Sequence, residues 1–168
     1  IGNPGLEIMN VPEVAKVSHD EGIPLIIDAT FNTPYLCKPL DLGVDIIVHS
    51  LTKWMGGHGT SMGGILVEGG KFDWKQNDKF PTMTEPYPGY HGLSFAEEFG
   101  PMAFAMRTRA EGMRDMGPCM SPTNAFNILQ GIETLSVRMD KHLFNTKKML
   151  KYLSNHEGVD WVAHPDLP

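Results

Sequence analysis

The sequence contains little cysteine and no concentration of basic charge. Its two cysteines, Cys37 and Cys119, lie far apart, without the paired spacing of a disulfide framework or a zinc knuckle. We interpret both as ordinary thiols. The 14 lysines and arginines are outnumbered by 20 aspartates and glutamates, which gives a net charge of −6. Because no stretch gathers the basic residues into a phosphate-binding face, we expect no nucleic-acid partner.

Long hydrophobic runs are also missing from the sequence. Apolar runs such as residues 23–27 and 46–48 fall far short of the ~20 residues that span a bilayer. No signal-peptide pattern opens the chain, so we expect a cytoplasmic protein with no membrane partner. The chain starts without methionine and stops in a turn-like run. We therefore expect it to be a piece of a longer polypeptide, whose other segments would be its partners.

The first half of the sequence alternates a helical pattern with short apolar runs. Helical spacing after Asn10 predicts a helix that ends at Gly22, with Asn10 as N-cap and Glu13 as its capping-box partner. Three strands are predicted at residues 24–27, 44–48 and 64–67. The first run is continuous, which is typical of a strand buried on both faces of a parallel sheet. This order predicts an α/β fold, with a mostly parallel sheet and flanking helices.

The second half has a different composition. Residues 71–100 are rich in proline, glycine and aromatic residues, and we expect a long ordered excursion there. Further helices are predicted at residues 101–116, after an N-cap at Ser121, and at residues 138–153. A last strand is predicted around Trp161.

Polar residues follow two neighbouring predicted strands. Asp28 ends the first strand, and Ser50, Thr52 and Lys53 follow the second, so an α/β sheet would place them on one edge. Pyridoxal phosphate (PLP) requires such a set: an amine for its aldehyde, an anion at its pyridine nitrogen and donors for its phosphate. By themselves, polar residues at strand ends are more often turn formers or caps, and a lone lysine is more often a solvated surface charge.

Three segments add a family resemblance. Residues 28–35 (DATFNTPY), 39–45 and 50–58 (SLTKWMGGH) resemble the Cys/Met-metabolism, or transsulfuration, family of PLP enzymes. The resemblance covers nearly the whole chain. It implies part of a PLP-transferase type I large domain, with residues 1–135 as its central part. Residues 136–168 would then be a linking helix and the incomplete start of a C-terminal domain.

The resemblance also implies the role of each site residue. Lys53 would be the catalytic lysine, forming the Schiff base with PLP and later moving protons. Asp28 would pair with the pyridine nitrogen. Ser50 and Thr52 would bind the phosphate, and Asn3 would lie near the phenolic oxygen of the ring.

Within that family, four segments resemble the O-acetylhomoserine sulfhydrylase branch: residues 70–74, 80–81, 90–92 and 114–117. This implies replacement of an acetoxy group by sulfide or a thiol, giving homocysteine or methionine, in a homotetramer built as a dimer of dimers. The alternatives in the same family are a cystathionine or methionine γ-lyase and a cystathionine γ-synthase. The aromatic residues Tyr87 and Tyr90 would either pack the excursion or contact substrate.

Other readings of the sequence find less support. The glycines near His58 complete neither a dinucleotide fingerprint nor a P-loop, and the histidines lack metal-ligand spacing, so we expect no metal. A non-catalytic α/β module that binds a partner through its Pro/Tyr-rich loop stays open. Four arginines on predicted helices are left out of the site, since ion-pair or solvated roles are more typical there: Arg107, Arg109, Arg114 and Arg138.

Overall fold

The computed structural model describes residues 1–167, in which three strands form one mixed sheet. They are β1 (Ile26–Asp28), β2 (Ile46–Ser50) and β3 (Gly64–Glu68), in the order β1-β2-β3. β1 runs parallel to β2 with Ile26 opposite Ile46. β2 runs antiparallel to β3, with Ile46 also opposite Glu68. The α/β class predicted from the sequence is therefore confirmed.

The antiparallel pairing of β3 differs from a purely parallel arrangement, and the connections explain why. Residues 29–45, between β1 and β2, contain a short helix and a 3₁₀ helix, which is enough chain for the crossover that parallel neighbours need. Residues 51–63, between β2 and β3, contain turns and no helix. A link of that kind returns the chain directly beside β2, and so in the opposite direction.

Burial differs sharply between β1 and β2. Ile46 and Ile47 of β2 are buried, and they contact two different hydrophobic clusters. In β1, by contrast, Ile26 is 50% exposed. The prediction that the first strand is buried on both faces is therefore wrong for the described residues. β1 lies at the edge of this sheet, with β2 as its one strand neighbour.

Residues 1–167 form seven α-helices. They are α1 (Val11–Asp20), α2 (Thr33–Leu36), α3 (Pro81–Thr84), α4 (Phe95–Phe99), α5 (Ala103–Arg107), α6 (Pro122–Glu133) and α7 (Leu135–Leu153). α1 follows Asn10 as predicted, but the Asn10 side chain makes no capping hydrogen bond. Ser121 does cap α6, because its Oγ accepts a hydrogen bond from the Asn124 N–H at 3.1 Å. No helix in this described part is long and apolar enough to cross a membrane.

Residues 71–116, here called the aromatic segment, form a packed unit against β2 and β3. Its centre holds Trp74, Met83 and Phe95, all buried. The Trp74 ring stacks on Phe104 with centroids 5.6 Å apart. Burying large aromatic side chains accounts for an ordered excursion built from short helices and turns. This packing agrees with the ordered excursion predicted at residues 71–100.

The rest of the second half follows the sequence less closely. The predicted helix at residues 101–116 forms as three pieces: a 3₁₀ helix (Gly100–Met102), α5 and a π-helix (Thr108–Asp115). The strand predicted around Trp161 is absent from the described residues. A strand requires a hydrogen-bonded neighbour, and none of the described strands pairs with this stretch, where Trp161 is 79% exposed.

Candidate active site

A cleft of about 860 Å³ opens beyond the carboxyl ends of β1 and β2. All five residues that the sequence assigned to the site line it: Asn3, Asp28, Ser50, Thr52 and Lys53. Four of them, Asp28, Ser50, Thr52 and Lys53, belong to the two strand ends and are here called the rim. The structure therefore brings the predicted set into one cavity.

Parallel pairing explains how the rim assembles. Asp28 lies opposite Val48 in the register, and the Ala29 N–H donates to the Val48 carbonyl at 2.9 Å. One residue further on, the Thr30 hydroxyl oxygen accepts a hydrogen bond from the Ser50 N–H at 2.7 Å. A side chain thus replaces the next main-chain bond, which keeps the two strand ends together where the sheet stops.

Asp28 presents an open acceptor to the cleft. Its Oδ1 accepts a hydrogen bond from the Thr30 N–H at 2.8 Å. Its Oδ2 has no hydrogen-bond partner within residues 1–167, and the residue is exposed to the cleft. The carboxylate is thus held by its own turn while one oxygen stays available to a ligand donor.

Lys53 lies in a tight turn directly after β2. The Gly56 N–H donates to the Leu51 carbonyl at 2.8 Å, and the Gly57 N–H donates to the Lys53 carbonyl at 2.7 Å. Within the described residues the Lys53 amine forms neither an ion pair nor a hydrogen bond, and the residue is exposed. The main chain is therefore constrained while the amine is available.

Ser50 and Thr52 differ in whether their side-chain hydroxyls already form hydrogen bonds. The Ser50 hydroxyl has no partner in the part of the chain that the structure describes, whereas Thr52 Oγ1 accepts from the Gly63 N–H at 3.1 Å. Thr52 Oγ1 also lies 3.4 Å from the Gly63 carbonyl, a long contact for a hydroxyl donor. The Thr52 side chain therefore links the rim to Gly63, directly before β3. Its hydroxyl proton can be donated to a ligand with the loss of only one long contact.

Several cleft residues were not identified from the sequence. Trp54 lies edge-on to Phe31 and His142, with centroids 6.0 and 4.8 Å away, and Arg138 completes this wall. Arg138 and His142 are four residues apart and so share one face of α7. The four-residue spacing was the only indication in the sequence that Arg138 and His142 lie together. The sequence did not indicate that this face of α7 meets the rim.

Of the four arginines set aside earlier, Arg109 is exposed on the π-helix, and the other three have side-chain partners. Arg107, the last residue of α5, pairs with Glu111 four residues on, as expected for a helical ion pair, and Arg114 pairs with its sequence neighbour Asp115. Arg138 does not follow that expectation. It lines the cleft and donates to backbone carbonyls instead of a carboxylate, because it lies where α6, α7 and the Lys53 turn meet.

His49 is a titratable group buried beneath the rim. It is 4% exposed, and its Nδ1 has no hydrogen-bond partner within the described chain. Burial lowers the pKa of His49, and this is partly opposed by the Ala29 main chain and by the negative charge of Asp28. The ring therefore favours its neutral form. No group of histidine, cysteine and acidic residues in residues 1–167 has a metal-binding arrangement.

These groups fit PLP. The cleft offers an unpaired amine at Lys53, a carboxylate oxygen without a partner at Asp28 and a free hydroxyl at Ser50. They correspond to the aldehyde, the pyridine nitrogen and the phosphate of the cofactor. The chemistry of the donor set thus agrees with the cofactor that the sequence predicts.

Solved structures identify the class of protein to which this fold belongs. The chain is similar to a Campylobacter jejuni protein whose structure contains N'-pyridoxyl-lysine-5'-monophosphate, with a TM-score of 0.92 and 37% identity over 99% of this chain and 40% of that one. It is also similar to an O-acetylhomoserine sulfhydrylase of Wolinella succinogenes (TM-score 0.83, 37% identity, 100% and 45% covered). The fold is that of the PLP-dependent transferases.

The family is shown by sequence. The model of the Cys/Met metabolism PLP-dependent enzymes matches residues 1–168, and the chain belongs to that family. It is 49% identical to the O-acetyl-L-homoserine sulfhydrylase of Leptospira meyeri, over 99% of this chain and 39% of that protein. It is 48% identical to the homocysteine synthase of Schizosaccharomyces pombe, with the same coverage. The chain thus spans about two-fifths of the length of these relatives.

Proposed function

We propose that the protein containing this chain replaces the acetoxy group of O-acetylhomoserine with sulfide or a thiol. The products are homocysteine or methionine, together with acetate. The observation that carries this proposal is the meeting of Lys53, Asp28 and Ser50 in one cleft. It is supported by 49% and 48% identity to a sulfhydrylase and a homocysteine synthase.

Each rim residue has a separate task. The Lys53 amine would hold the cofactor and would move protons at the substrate Cα and Cβ. The free oxygen of Asp28 would favour a protonated pyridine nitrogen. Ser50 and Thr52 would hold the phosphate, and Asn3 would lie near the phenolic oxygen. PLP, when bound, supplies electron withdrawal from the substrate carbons.

The branch within the family rests on degrees of similarity. A cystathionine γ-lyase of Lactobacillus plantarum is also similar to this chain, with a TM-score of 0.67 and 31% identity. The Wolinella sulfhydrylase has the higher values of 0.83 and 37%. The sulfhydrylase reaction is therefore favoured over the lyase reaction.

The proposal includes an assembly and a location. The complete protein is a cytoplasmic homotetramer, a dimer of dimers, in which residues 1–135 belong to the large domain and residues 136–168 lead into the next. Exposed apolar side chains such as Met62 and Phe126, 75% and 60% exposed in this chain, support burial against other surfaces. Light scattering of the complete protein measures the mass, and a stable monomer would contradict the assembly.

A rate comparison tests the reaction. The complete enzyme should make homocysteine from O-acetylhomoserine and sulfide much faster than it cleaves cystathionine, when both are measured on one preparation. Faster cystathionine cleavage would move the protein to the lyase branch. A protein that binds no PLP and carries no borohydride-reducible lysine would support the non-catalytic binding module instead.

A further inference from the structure

In the Lys53 turn, the carbonyl groups of Trp54 and Met55 accept hydrogen bonds from a side chain of α7 and not from the backbone. The turn's own amides bond to Leu51 and Lys53, and no backbone N–H in residues 1–167 donates to the carbonyls of Trp54 or Met55. Buried or half-buried carbonyls require a donor. Arg138, at the start of α7, provides it through two different nitrogens.

The Arg138 guanidinium engages nearly all of its N–H donors in such hydrogen bonds. Nη1 donates to the Trp54 carbonyl at 2.7 Å, and Nη2 donates to the Met55 carbonyl at 3.3 Å. Nη2 also donates to the Gly131 carbonyl at 2.7 Å, and Nε lies 3.2 Å from the Thr134 hydroxyl. Of the five N–H groups of an arginine, one is left, so a carboxylate ligand could not be bound by two parallel hydrogen bonds.

Glycines bring the main chains close enough for this contact. A Cβ at Gly131 of α6 would lie 2.1 Å from the Gly56 carbonyl oxygen and 2.7 Å from that of Met55. A Cβ at Gly57, where φ is +80°, would lie 2.8 Å from the Arg138 guanidinium. α6 and the turn therefore meet backbone to backbone, while α7 reaches the turn through the Arg138 side chain. A side chain at Gly131 would separate α6 from the turn, and one at Gly57 would displace the guanidinium.

From this arrangement we propose that Arg138 is a positioning residue, which fixes the turn that carries Lys53 by holding the carbonyls of Trp54 and Met55. The inference rests on the proposed function, because it assigns to Lys53 the role described above. A flexible lysine side chain reaches a reacting atom reproducibly only if its main chain is held. Arg138 therefore acts through Lys53 and does not itself contact substrate.

Three variants of the complete enzyme test the proposal. Arg138→Met keeps an unbranched apolar side chain and removes all hydrogen-bond donors of the guanidinium. Arg138→Lys restores the charge and one donor nitrogen in place of three. Arg109→Met is the matched control, since Arg109 is an exposed arginine on the π-helix and lies outside the cleft.

Hydrogen exchange of the cofactor-free protein is the first measurement. In Arg138→Met the amides of Gly56 and Gly57 should exchange about tenfold faster, while those of α4 and β2 stay unchanged. Arg138→Lys should be intermediate and Arg109→Met should match the wild type. Unchanged exchange at Gly56 and Gly57, or an equal increase throughout the protein, would overturn the proposal.

Steady-state kinetics is the second measurement. In Arg138→Met we expect kcat to fall about tenfold with KM within about twofold, and we expect partial recovery in Arg138→Lys. A rise in KM at normal kcat would overturn the proposal, because it would mean that Arg138 binds substrate. Hydrogen exchange is measured without cofactor and does not depend on catalytic activity. If the wild-type protein were inactive, the proposed function would be wrong, but the exchange data would still test whether Arg138 holds the turn.

Discussion

In the rim, polar side chains are left with open donors and acceptors, whereas in the aromatic segment large aromatic side chains pack on one another. Within residues 1–167, Asp28 keeps a free oxygen and Lys53 a free amine. Tyr87 and Tyr90 instead pack on Phe95, with centroids 6.3 and 5.7 Å away. Unsatisfied polar groups indicate a ligand, and mutually packed aromatics indicate support.

Cation–π contacts extend the packing in the aromatic segment. The Arg107 guanidinium lies 5.4 Å from the ring centroids of both Tyr87 and Phe95. Tyr90 also directs its hydroxyl to the Ala110 carbonyl at 3.2 Å. The packing role considered for the two tyrosines is therefore the one that the structure supports. The comparison assigns chemistry to the rim and stability to the aromatic segment, and substitutions at Lys53, Phe95 and Asp28 test this division.

The largest effect is expected at Lys53. Lys53→Ala in the complete enzyme removes the amine that we propose to hold the cofactor and move protons, so turnover should fall by about 10³-fold or more. Borohydride should then no longer fix the cofactor to the protein. Labelling that persists on another lysine would show that the rim has been assigned wrongly.

In the aromatic segment, Phe95→Ala should act on stability alone. Phe95 is 1% exposed, and truncating such a residue costs about 3 to 5 kcal/mol of unfolding free energy. Denaturant unfolding measures the loss, and Phe95→Leu, which keeps most of the volume, should lose less than half as much. If the kcat of folded Phe95→Leu fell markedly, the segment would have a catalytic role and the division would fail.

Asp28→Asn should be less severe than loss of Lys53. The amide keeps the shape of the side chain and the Thr30 contact but removes the negative charge. Without that charge, the protonated form of the pyridine nitrogen is no longer stabilised. We expect turnover to fall about a hundredfold with little change in thermal stability. Near-normal activity would contradict the pairing of Asp28 with the cofactor.

The smallest effect concerns pH and His49. Burial lowers the pKa of His49 in the folded protein below its ordinary value of 6.5, so the unfolded chain binds protons first as pH falls. The contribution of His49 is fully present above pH 6.5 and is lost as pH falls through the lower folded pKa. Urea unfolding at about pH 7.5 and about pH 5.5 should show a smaller pH dependence in His49→Gln. An unchanged dependence would mean that His49 titrates normally.

Much of the site could be predicted from the sequence because it depends on strand ends. Asp28 and Lys53 follow apolar runs, and parallel pairing brings such ends together whatever the details of the helices. The same local reasoning gave α1 and the Ser121 cap of α6. It failed for the Asn10 cap, where the position is right but the side chain makes no hydrogen bond.

Features set by distant contacts could not be predicted in this way. The exposure of Ile26 depends on which strands flank β1, and the role of Arg138 depends on where α7 meets the Lys53 turn. Helical spacing specifies a face but not its neighbour. The π-helix at residues 108–115 likewise departs from a pattern that indicated ordinary helix.

The bond from the Ser50 amide to Thr30 has a consequence for how the cavity could be redesigned. Since a hydroxyl stands in for a main-chain rung, the two strands can diverge just beyond the sheet without coming apart. The cleft thus begins as an opening between the two strand ends, which the Thr30 hydroxyl holds together. A design that enlarges the cleft would preserve a hydroxyl at residue 30 and vary the surrounding wall at Phe31 and Trp54.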